Sequence, residues 1–328
     1  MSYVAGIDGG GTKTLAIIAR TSGEILGVGT AGPSNVSTLG IVKARTAVER
    51  AFLNALRSCR IPRREISAIC LGLAGLDSPR VLRRVRGAAR YWRLAGRVRV
   101  EQDSTIALAT ATRLEVPGVV VIAGTGSVVM GTDGKGRIVK VGGWGYILND
   151  EGSAFYIGLE ALRTISKSFD GRIPRTRLFR YIANELGVRN FYELLEKIYT
   201  MEFSPMTIGS LAPLVSRAAN EGDRAAITIL RNAATELASM VVTTLRRLRL
   251  REAPVYYTGG VFAAGEVFLR FFRGSIQRVF PNVTIEELKY QPVIGALYLA
   301  LKDSGVEITE EIMKNVEETA LKLGLMSQ

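Results

Sequence analysis

One plan is used twice along this chain. Residues 3–7 read as an apolar strand, followed by a turn rich in glycine and threonine and a return strand at 15–19. A third strand follows at 25–30. Residues 119–123, 128–131 and 138–141 repeat that order around the turns 124–127 and 133–136. After the first triplet, helices at 38–56, 79–92 and 105–113 alternate with strands at 66–73 and 98–101. In the helix at 38–56, Val42, Ala47, Val48, Phe52 and Leu56 give a stripe of helical period. After the second triplet, helices are expected at 153–168, 175–186, 191–200, 207–219 and 224–248. A strand at 255–257, a helix at 265–273, a short strand at 282–285 and a helix at 293–301 follow. The helix at 309–323 closes the chain. Both halves therefore read β-β-β-α-β-α-β-α, with extra helices in the second. The pattern predicts an α/β protein of two duplicated domains, 1–115 and 116–292, with residues 293–328 returning as helices onto the first.

The opening turn, Asp8-Gly9-Gly10-Gly11-Thr12-Lys13-Thr14, holds more glycine than a hairpin needs. Glycines let the backbone approach a ligand closely, and successive free N–H groups form an anion-binding concavity. Lys13 adds a positive charge and the two threonines add hydroxyl donors. An acid beside a phosphate cradle points to Mg²⁺ between them, with Asp8 holding the ion through water. Gly124-Thr125-Gly126-Ser127 is the corresponding turn of the second half. Two such turns across an interdomain cleft are expected to grip a phosphate chain from both sides.

Composition narrows the chemistry. The chain of 328 residues contains no histidine, which excludes Ser-His-Asp and Cys-His catalysis and histidine metal sites. A general base must then be Asp, Glu, Lys, Tyr or Cys. Cys59 and Cys70 form neither a disulfide framework nor a metal-ligand set. No apolar run is long enough to span a bilayer and no leader pattern precedes the first strand, so a cytoplasmic protein without membrane partners is expected.

Lys and Arg total 43 against 30 Asp and Glu, a net charge of +13. Arginines crowd at 80, 83, 84, 86, 90, 93, 97 and 99, and again at 246, 247, 249 and 251. They fall on separate expected helices with little aromatic interleaving. The reading taken is a solvated basic surface of the kind that carries charge networks at high temperature, with no nucleic-acid partner.

Two rival motifs fail in context. Gly27-Val28-Gly29-Thr30-Ala31-Gly32 fits G-x-G-x-x-G, but Pro33 follows and no helix opens there. Gly134-Lys135 lacks both the upstream glycine and the following hydroxyl residue of a P-loop.

Taken in order, five segments resemble the motifs of the actin-like ATPase superfamily of sugar kinases, hexokinase and the heat-shock chaperone. They are 8–14 and 122–127 for phosphate, 100–109 and 292–300 for the connecting segments, and Thr258-Gly259-Gly260-Val261-Phe262 for adenosine. Gly142-Gly143-Trp144-Gly145-Tyr146-Ile147-Leu148-Asn149-Asp150-Glu151-Gly152-Ser153 is similar to the N-acetylglucosamine kinase branch, which includes broad-specificity archaeal hexokinases. The resemblance spans essentially the whole chain. It implies two ribonuclease H-like domains, each a mixed five-stranded sheet flanked by helices, with the active site in the cleft.

It also implies an ATP-dependent transfer, with Mg²⁺, to a hydroxyl of a hexose or N-acetylhexosamine. Asp103 is then the base for the sugar hydroxyl and a sugar contact. Gly10, Gly11, Thr12, Lys13 and Thr14 hold phosphate from one side, and Gly124, Thr125 and Gly126 from the other. Gly259 and Gly260 admit adenosine. Asn35, Ser127, Gly143, Trp144, Asp150 and Glu151 line the sugar pocket, and a homodimer is expected. Plainer roles exist for six of these. Asp103 could cap a helix, Asn35 could be an ordinary turn residue, Asp150 and Glu151 could supply charge at a helix N-terminus, and Gly259 and Gly260 could form a turn after a strand.

Two other functions carry the same fold. One is the activator ATPase of a 2-hydroxyacyl-CoA dehydratase, whose iron–sulfur cluster would need cysteines that Cys59 and Cys70 do not supply in spacing. The other is a non-catalytic nucleotide-binding regulator. Kinases of the repressor-and-kinase family are set aside, because their histidine and cysteine zinc motif is missing.

Overall fold

The computed structural model describes residues 2–200 and 204–327. These form two compact units. One comprises Met1–Gly118, Thr132–Arg137 and Leu288–Ser327, the other Val119–Gly131 and Ile138–Glu287.

In chain order the first elements are β1 (Tyr3–Gly9), β2 (Thr14–Arg20), β3 (Ile25–Ala31), α1 (Val36–Cys59), β4 (Ile66–Leu73), α2 (Pro79–Ala89), β5 (Arg97–Gln102) and α3 (Asp103–Thr112). Next come β6 (Gly118–Ala123), β7 (Ser127–Thr132), β8 (Ile138–Gly142), α4 (Ala154–Phe169), α5 (Leu178–Leu186), α6 (Phe191–Thr200), α7 (Pro205–Gly209), α8 (Ala212–Asn220) and α9 (Arg224–Leu248). The last are β9 (Val255–Thr258), α10 (Glu266–Gln277), β10 (Ile285–Glu287), α11 (Val293–Asp303) and α12 (Glu310–Lys322).

The first unit is a five-stranded sheet in the order β3-β2-β1-β4-β5. β1 and β2 are antiparallel, as are β2 and β3, whereas β4 runs parallel to β1 and β5 parallel to β4. Alternation of period two assigns the faces. Ala5, Ile7, Ile18, Ile69 and Leu71 face the core that holds Phe52 of α1 and Val85 of α2. Val4, Ile17, Ala19, Ala68 and Cys70 face the core made by α3, α11 and α12. The cross-over of α11 on α3 rests on Gly295, where a Cβ would lie 1.9 Å from the Ile106 carbonyl oxygen. A residue larger than glycine would not fit at that contact.

Helix α1 corrects its expected stripe. Val42 is 78% exposed, and the buried positions are Val36, Ala44, Val48, Ala51, Phe52, Ala55 and Leu56. With 3.6 residues per turn Val42 lies off the face that Ala44, Val48, Ala51, Phe52 and Ala55 share, and Gly40, with a φ of 76° and a ψ of 164°, breaks the helix just before it. Gly27 and Gly29 acquire a structural reason as well. A Cβ at either would meet the backbone of Ala55, at 2.5 and 2.2 Å, so these glycines let α1 lie flat on β3.

The second unit repeats the sheet order as β8-β7-β6-β9-β10, with β9 parallel to β6 and β10 parallel to β9. Its core centres on α9. That helix is long and apolar enough by length and composition to cross a bilayer. It nevertheless packs Leu230, Ala233, Leu237, Val241 and Leu245 inside the unit and exposes Arg231, Arg246 and Arg247, which marks a core helix. Two expectations shift here. The strand placed at 282–285 forms at Ile285–Glu287. The helix placed at 207–219 is two helices, because Pro213 sits in the first turn of α8 and lacks the N–H that a continuous helix would need.

Candidate active site

In the first unit, Asp8 pairs in register with Gly72, and Gly72 with Glu101. Asp103 follows Glu101 by two residues, so both acids stand at the carboxyl ends of parallel strands. Ligands of open α/β sheets bind at that end. Asp103 opens α3, and its Oδ1 accepts the Ser104 amide at 2.8 Å. A carboxylate in the first turn is favoured by the helix dipole, so its structural role and availability to a ligand coexist.

Burial, and then the charge of Asp103, push the Asp8 carboxyl up to about 7, with Lys13 opposing the shift. Two mutually repelling carboxylates, one holding its proton to near neutrality, fit a hard divalent cation with oxygen ligands. Among the described residues no three His, Cys, Asp or Glu side chains gather as a metal set. Mg²⁺ bound with a nucleotide needs only one or two carboxylates plus phosphate oxygens.

The first glycine turn is closed by the Gly10 amide donating to the Lys13 carbonyl at 3.0 Å. Gly11, Thr12 and Lys13 are exposed, and the Gly11 and Thr12 amides lie outside the turn's own hydrogen bonding. Thr14 departs from its expected phosphate role. It is fully buried, its hydroxyl donates to the Gly32 carbonyl at 2.7 Å, and Ser34 Oγ lies 2.8 Å away. Thr14 therefore ties the hairpin to the loop that carries Asn35. Asn35 caps α1, its Oδ1 accepting from the Ser37 and Thr38 amides at 2.9 and 3.3 Å. Its Nδ2 donors remain outside that cap.

In the second unit the turn is closed by the Gly124 amide donating to the Gly126 carbonyl at 2.9 Å. The N-terminus of α4 is already satisfied. The Ala154 amide donates to the Gly124 carbonyl, the Phe155 amide to the Thr125 carbonyl, and Ser153 caps Tyr156. This leaves the Thr125 and Gly126 amides as the donors the turn presents.

Asp150 sits over that turn. It is 8% exposed, accepts the Ser127 amide at 3.2 Å, and would touch a Cβ at Gly126 at 2.9 Å. Its φ of +69° places a non-glycine residue in the left-handed region, a strain that clusters at functional sites. Ser127 is buried and its hydroxyl donates to the Glu151 carbonyl, which commits its proton to the protein rather than to a ligand. The Glu151 carboxylate accepts from Asn149 Nδ2. Gly143 has a positive φ and its carbonyl accepts from Lys140 Nζ. Trp144 is 54% exposed, with Lys140 Nζ 4.5 Å from its ring centroid. An exposed indole outside the core agrees with a surface built for contact.

A cavity of about 650 Å³ opens beside the second turn. Gly124, Thr125 and Ala154 stand at one side, and Gly260, Val261 and Ala264 form a wall. Pro213, Arg217 and Asn220 of α8 form another. Its size is that of a nucleotide site. Gly259 shapes the wall rather than lining it. It has a φ of +108°, and a Cβ would lie 2.3 Å from the Ala123 carbonyl oxygen. The α8 wall is absent from the sequence expectations. Its one signal is Pro213, which divides α7 from α8.

Residues 5–300 match the model of the BadF/BadG/BcrA/BcrD ATPase family. The chain is 32% identical over 302 residues to the N-acetylmuramic acid/N-acetylglucosamine kinase of Clostridium acetobutylicum, covering 92% of this chain and 98% of that protein. It is 29% identical over 310 residues to the N-acetyl-D-glucosamine kinase of Dictyostelium discoideum, covering 90% and 97%. The crystal structure of a provisionally assigned N-acetylglucosamine kinase from Chromobacterium violaceum superposes with a TM-score of 0.76 at 26% identity, covering 92% of this chain and 99% of that one. The duplicated sheets, the strand order and these end-to-end matches agree on the actin-like sugar kinase architecture. The chain belongs to the BadF/BadG/BcrA/BcrD ATPase family.

Proposed function

We propose that the protein is an ATP-dependent sugar kinase that phosphorylates a hydroxyl, the 6-OH in our reading, of N-acetylglucosamine or a related hexose or hexosamine. The observation that carries this reading is Asp103 at the carboxyl end of β5, with its charge acting on Asp8. The names borne by the relatives from Clostridium acetobutylicum and Dictyostelium discoideum support the substrate class.

In this reading Asp103 accepts the proton of the sugar hydroxyl as that oxygen bonds to the γ-phosphorus. The bond from the γ-phosphorus to the bridging oxygen breaks, and ADP leaves with that oxygen. Phosphoryl transfer asks the protein mainly for positioning and charge. Gly11, Thr12 and Lys13 supply donors and a positive charge to phosphate oxygens, with Gly10 closing their turn, and Thr125 and Gly126 supply donors from the turn that Gly124 closes. The cavity beside Gly260 takes the adenosine. Asp8 would hold Mg²⁺, in our reading through water, and the ion would neutralise phosphate charge when bound. Asn35 Nδ2, Gly143, Trp144, Asp150 and Glu151 form the sugar side, with Ser127 bracing Glu151. We also assign the protein to the cytoplasm as a homodimer, to be checked by sedimentation.

A coupled ADP-release assay over glucose, mannose, glucosamine, N-acetylglucosamine, N-acetylmannosamine and N-acetylmuramic acid tests the proposal. Sugar-dependent turnover with at least one amino sugar is expected. ATP hydrolysis indifferent to every sugar would overturn it, and a visible iron–sulfur absorption band would move the protein to the activator class.

A further inference from the structure

Residues 78–100 contain eight arginines and no acidic residue. A thermostabilising charge network requires acids within reach of those arginines. Three of the eight bond to acids or to residues of other segments, and Arg83 Nε donates to the Pro79 carbonyl within α2 at 3.4 Å. Arg86 and Arg99 pair with Glu101 at 3.0 Å, and Arg97 donates to the Asp303 carbonyl. The solvated network expected from sequence does not account for the other five. Arg80, Arg83, Arg84, Arg90 and Arg93 are exposed and form no ion pair among the described residues.

Their arrangement is ordered. α2 buries Val85 and Ala89 and turns Arg80, Arg83, Arg84 and Gly87 to solvent. Arg90 and Tyr91 continue that face past the helix end, Tyr91 being 82% exposed. From Arg80 to Arg90 the face runs about 15 Å. Beyond it, Arg63, Arg64 and Arg93 line a shallow hollow of about 390 Å³. Arg63 braces that hollow against the end of α2 by donating to the Trp92 carbonyl at 2.8 Å. Gly87, with open space where a Cβ would be, lowers the relief in mid-face.

We infer that the α2 face, continued by Tyr91 and the Arg63–Arg64–Arg93 hollow, binds single-stranded nucleic acid through its phosphates, with a base stacked on Tyr91. Arginine forks match phosphate oxygens bidentately, and an exposed ring beside a basic track is the stacking platform used for single strands. A lipid surface fits less well. The apolar side of α2 is buried in the core, which leaves no amphipathic face to enter a bilayer.

The test is fluorescence anisotropy of the full chain with a labelled 20-nucleotide poly(U) RNA from 50 to 300 mM salt. Five phosphate contacts predict a log–log salt slope of roughly −3 to −4. Arg80→Gln/Arg84→Gln/Arg90→Gln should weaken binding at least tenfold and flatten that slope by about 2. Tyr91→Ala should weaken binding severalfold without changing the slope. Sugar-dependent turnover and the melting temperature should be unchanged in both variants, which shows that the fold is intact. The proposal is overturned if the labelled strand does not bind. It is overturned equally if Tyr91→Ala has no effect, or if Arg246→Gln/Arg247→Gln/Arg251→Gln weakens binding as much as the α2 variant does. Tighter binding to anionic lipid vesicles than to RNA would also reject it.

Discussion

The charge of Asp103 reaches Asp8 and helps to hold its carboxyl protonated up to about 7. Burial is the larger cause, and Lys13 pulls the other way. The two acids belong to different motifs in the sequence, and the parallel register of β1, β4 and β5 brings them to one end of the sheet.

A pH dependence follows. The folded chain keeps the Asp8 proton to about pH 7, whereas the unfolded chain releases it near the ordinary value of 3.8. The folded state therefore binds the extra proton in between. Stability of the metal-free protein is greatest from this source below about pH 4, falls as pH rises to about 7, and levels off above. Asp8→Asn should raise the stability of the metal-free protein at pH 8 by about 1–2 kcal/mol, after allowance for solvent screening of a partly exposed group. At pH 4.5 it should change little. Melting curves with a chelator at both values are the check, and an equal effect at the two would refute the coupling. Mg²⁺ added with ATP should stabilise the unsubstituted protein more at pH 8 than at pH 5.5, because protons compete for Asp8.

Asp103→Asn removes the proposed base and the charge that acts on Asp8. Turnover should fall by about 10²–10⁴-fold. ATP affinity, read by calorimetry, should change only slightly, since the cavity beside Gly260 is untouched. The second readout is electrostatic. Without the neighbouring charge, Asp8 should ionise at lower pH, so the pH window of the stability effect should narrow from its upper end. A variant with near-normal turnover would sink the catalytic assignment. A variant inactive because it no longer binds ATP would make Asp103 a binding residue instead.

Much of this architecture is legible in the chain. Strands β1, β2, β4 and β6 announce themselves as apolar runs bounded by turns, and the repeated triplet reappears as matching strand orders in the two sheets. What escapes is set by contacts the sequence does not display. Gly40 looks like any glycine near a helix start, yet its φ of 76° breaks α1 there, and Val42 just after it lies off the buried face and is exposed. Thr12 and Thr14 are equivalent in the motif, and only the pairing of β2 with β3 decides that one is exposed and the other sealed inside. Gly27 and Gly29 look like half of a nucleotide fingerprint but answer to the packing of α1. The α8 wall of the cavity has no motif, because its residues serve by position on a helix rather than by type.

The two glycines of the adenosine motif should separate under substitution. Gly259→Ala meets both a positive φ and the Ala123 carbonyl oxygen at 2.3 Å, so it should destabilise by about 2–4 kcal/mol. Gly260→Ala adds a methyl group into open space on the cavity wall. It should leave the melting temperature within about 1 °C of the unsubstituted protein, given how little free energy such a shift represents. Its effect should fall on the KM for ATP, raised severalfold. A Gly260→Ala enzyme with an unchanged KM for ATP would remove this cavity from the nucleotide site.

The two threonines of the opening turn should also part company. Thr14→Val keeps the shape but strips the hydroxyl from the Gly32 carbonyl and Ser34, leaving buried polar groups without that partner. The expected cost is about 1–3 kcal/mol. Because the loop thus loosened carries Asn35, the kinetic signature should be a raised KM for sugar with the KM for ATP little changed. Thr12→Val alters an exposed side chain and should leave stability intact while raising the KM for ATP. Purified variants compared by melting and by initial rates against each substrate distinguish the two patterns. If Thr14→Val instead raised the KM for ATP alone, the buried hydroxyl would belong to the phosphate site after all, and its contact with Ser34 would be a detail of the hairpin rather than the tie that positions Asn35.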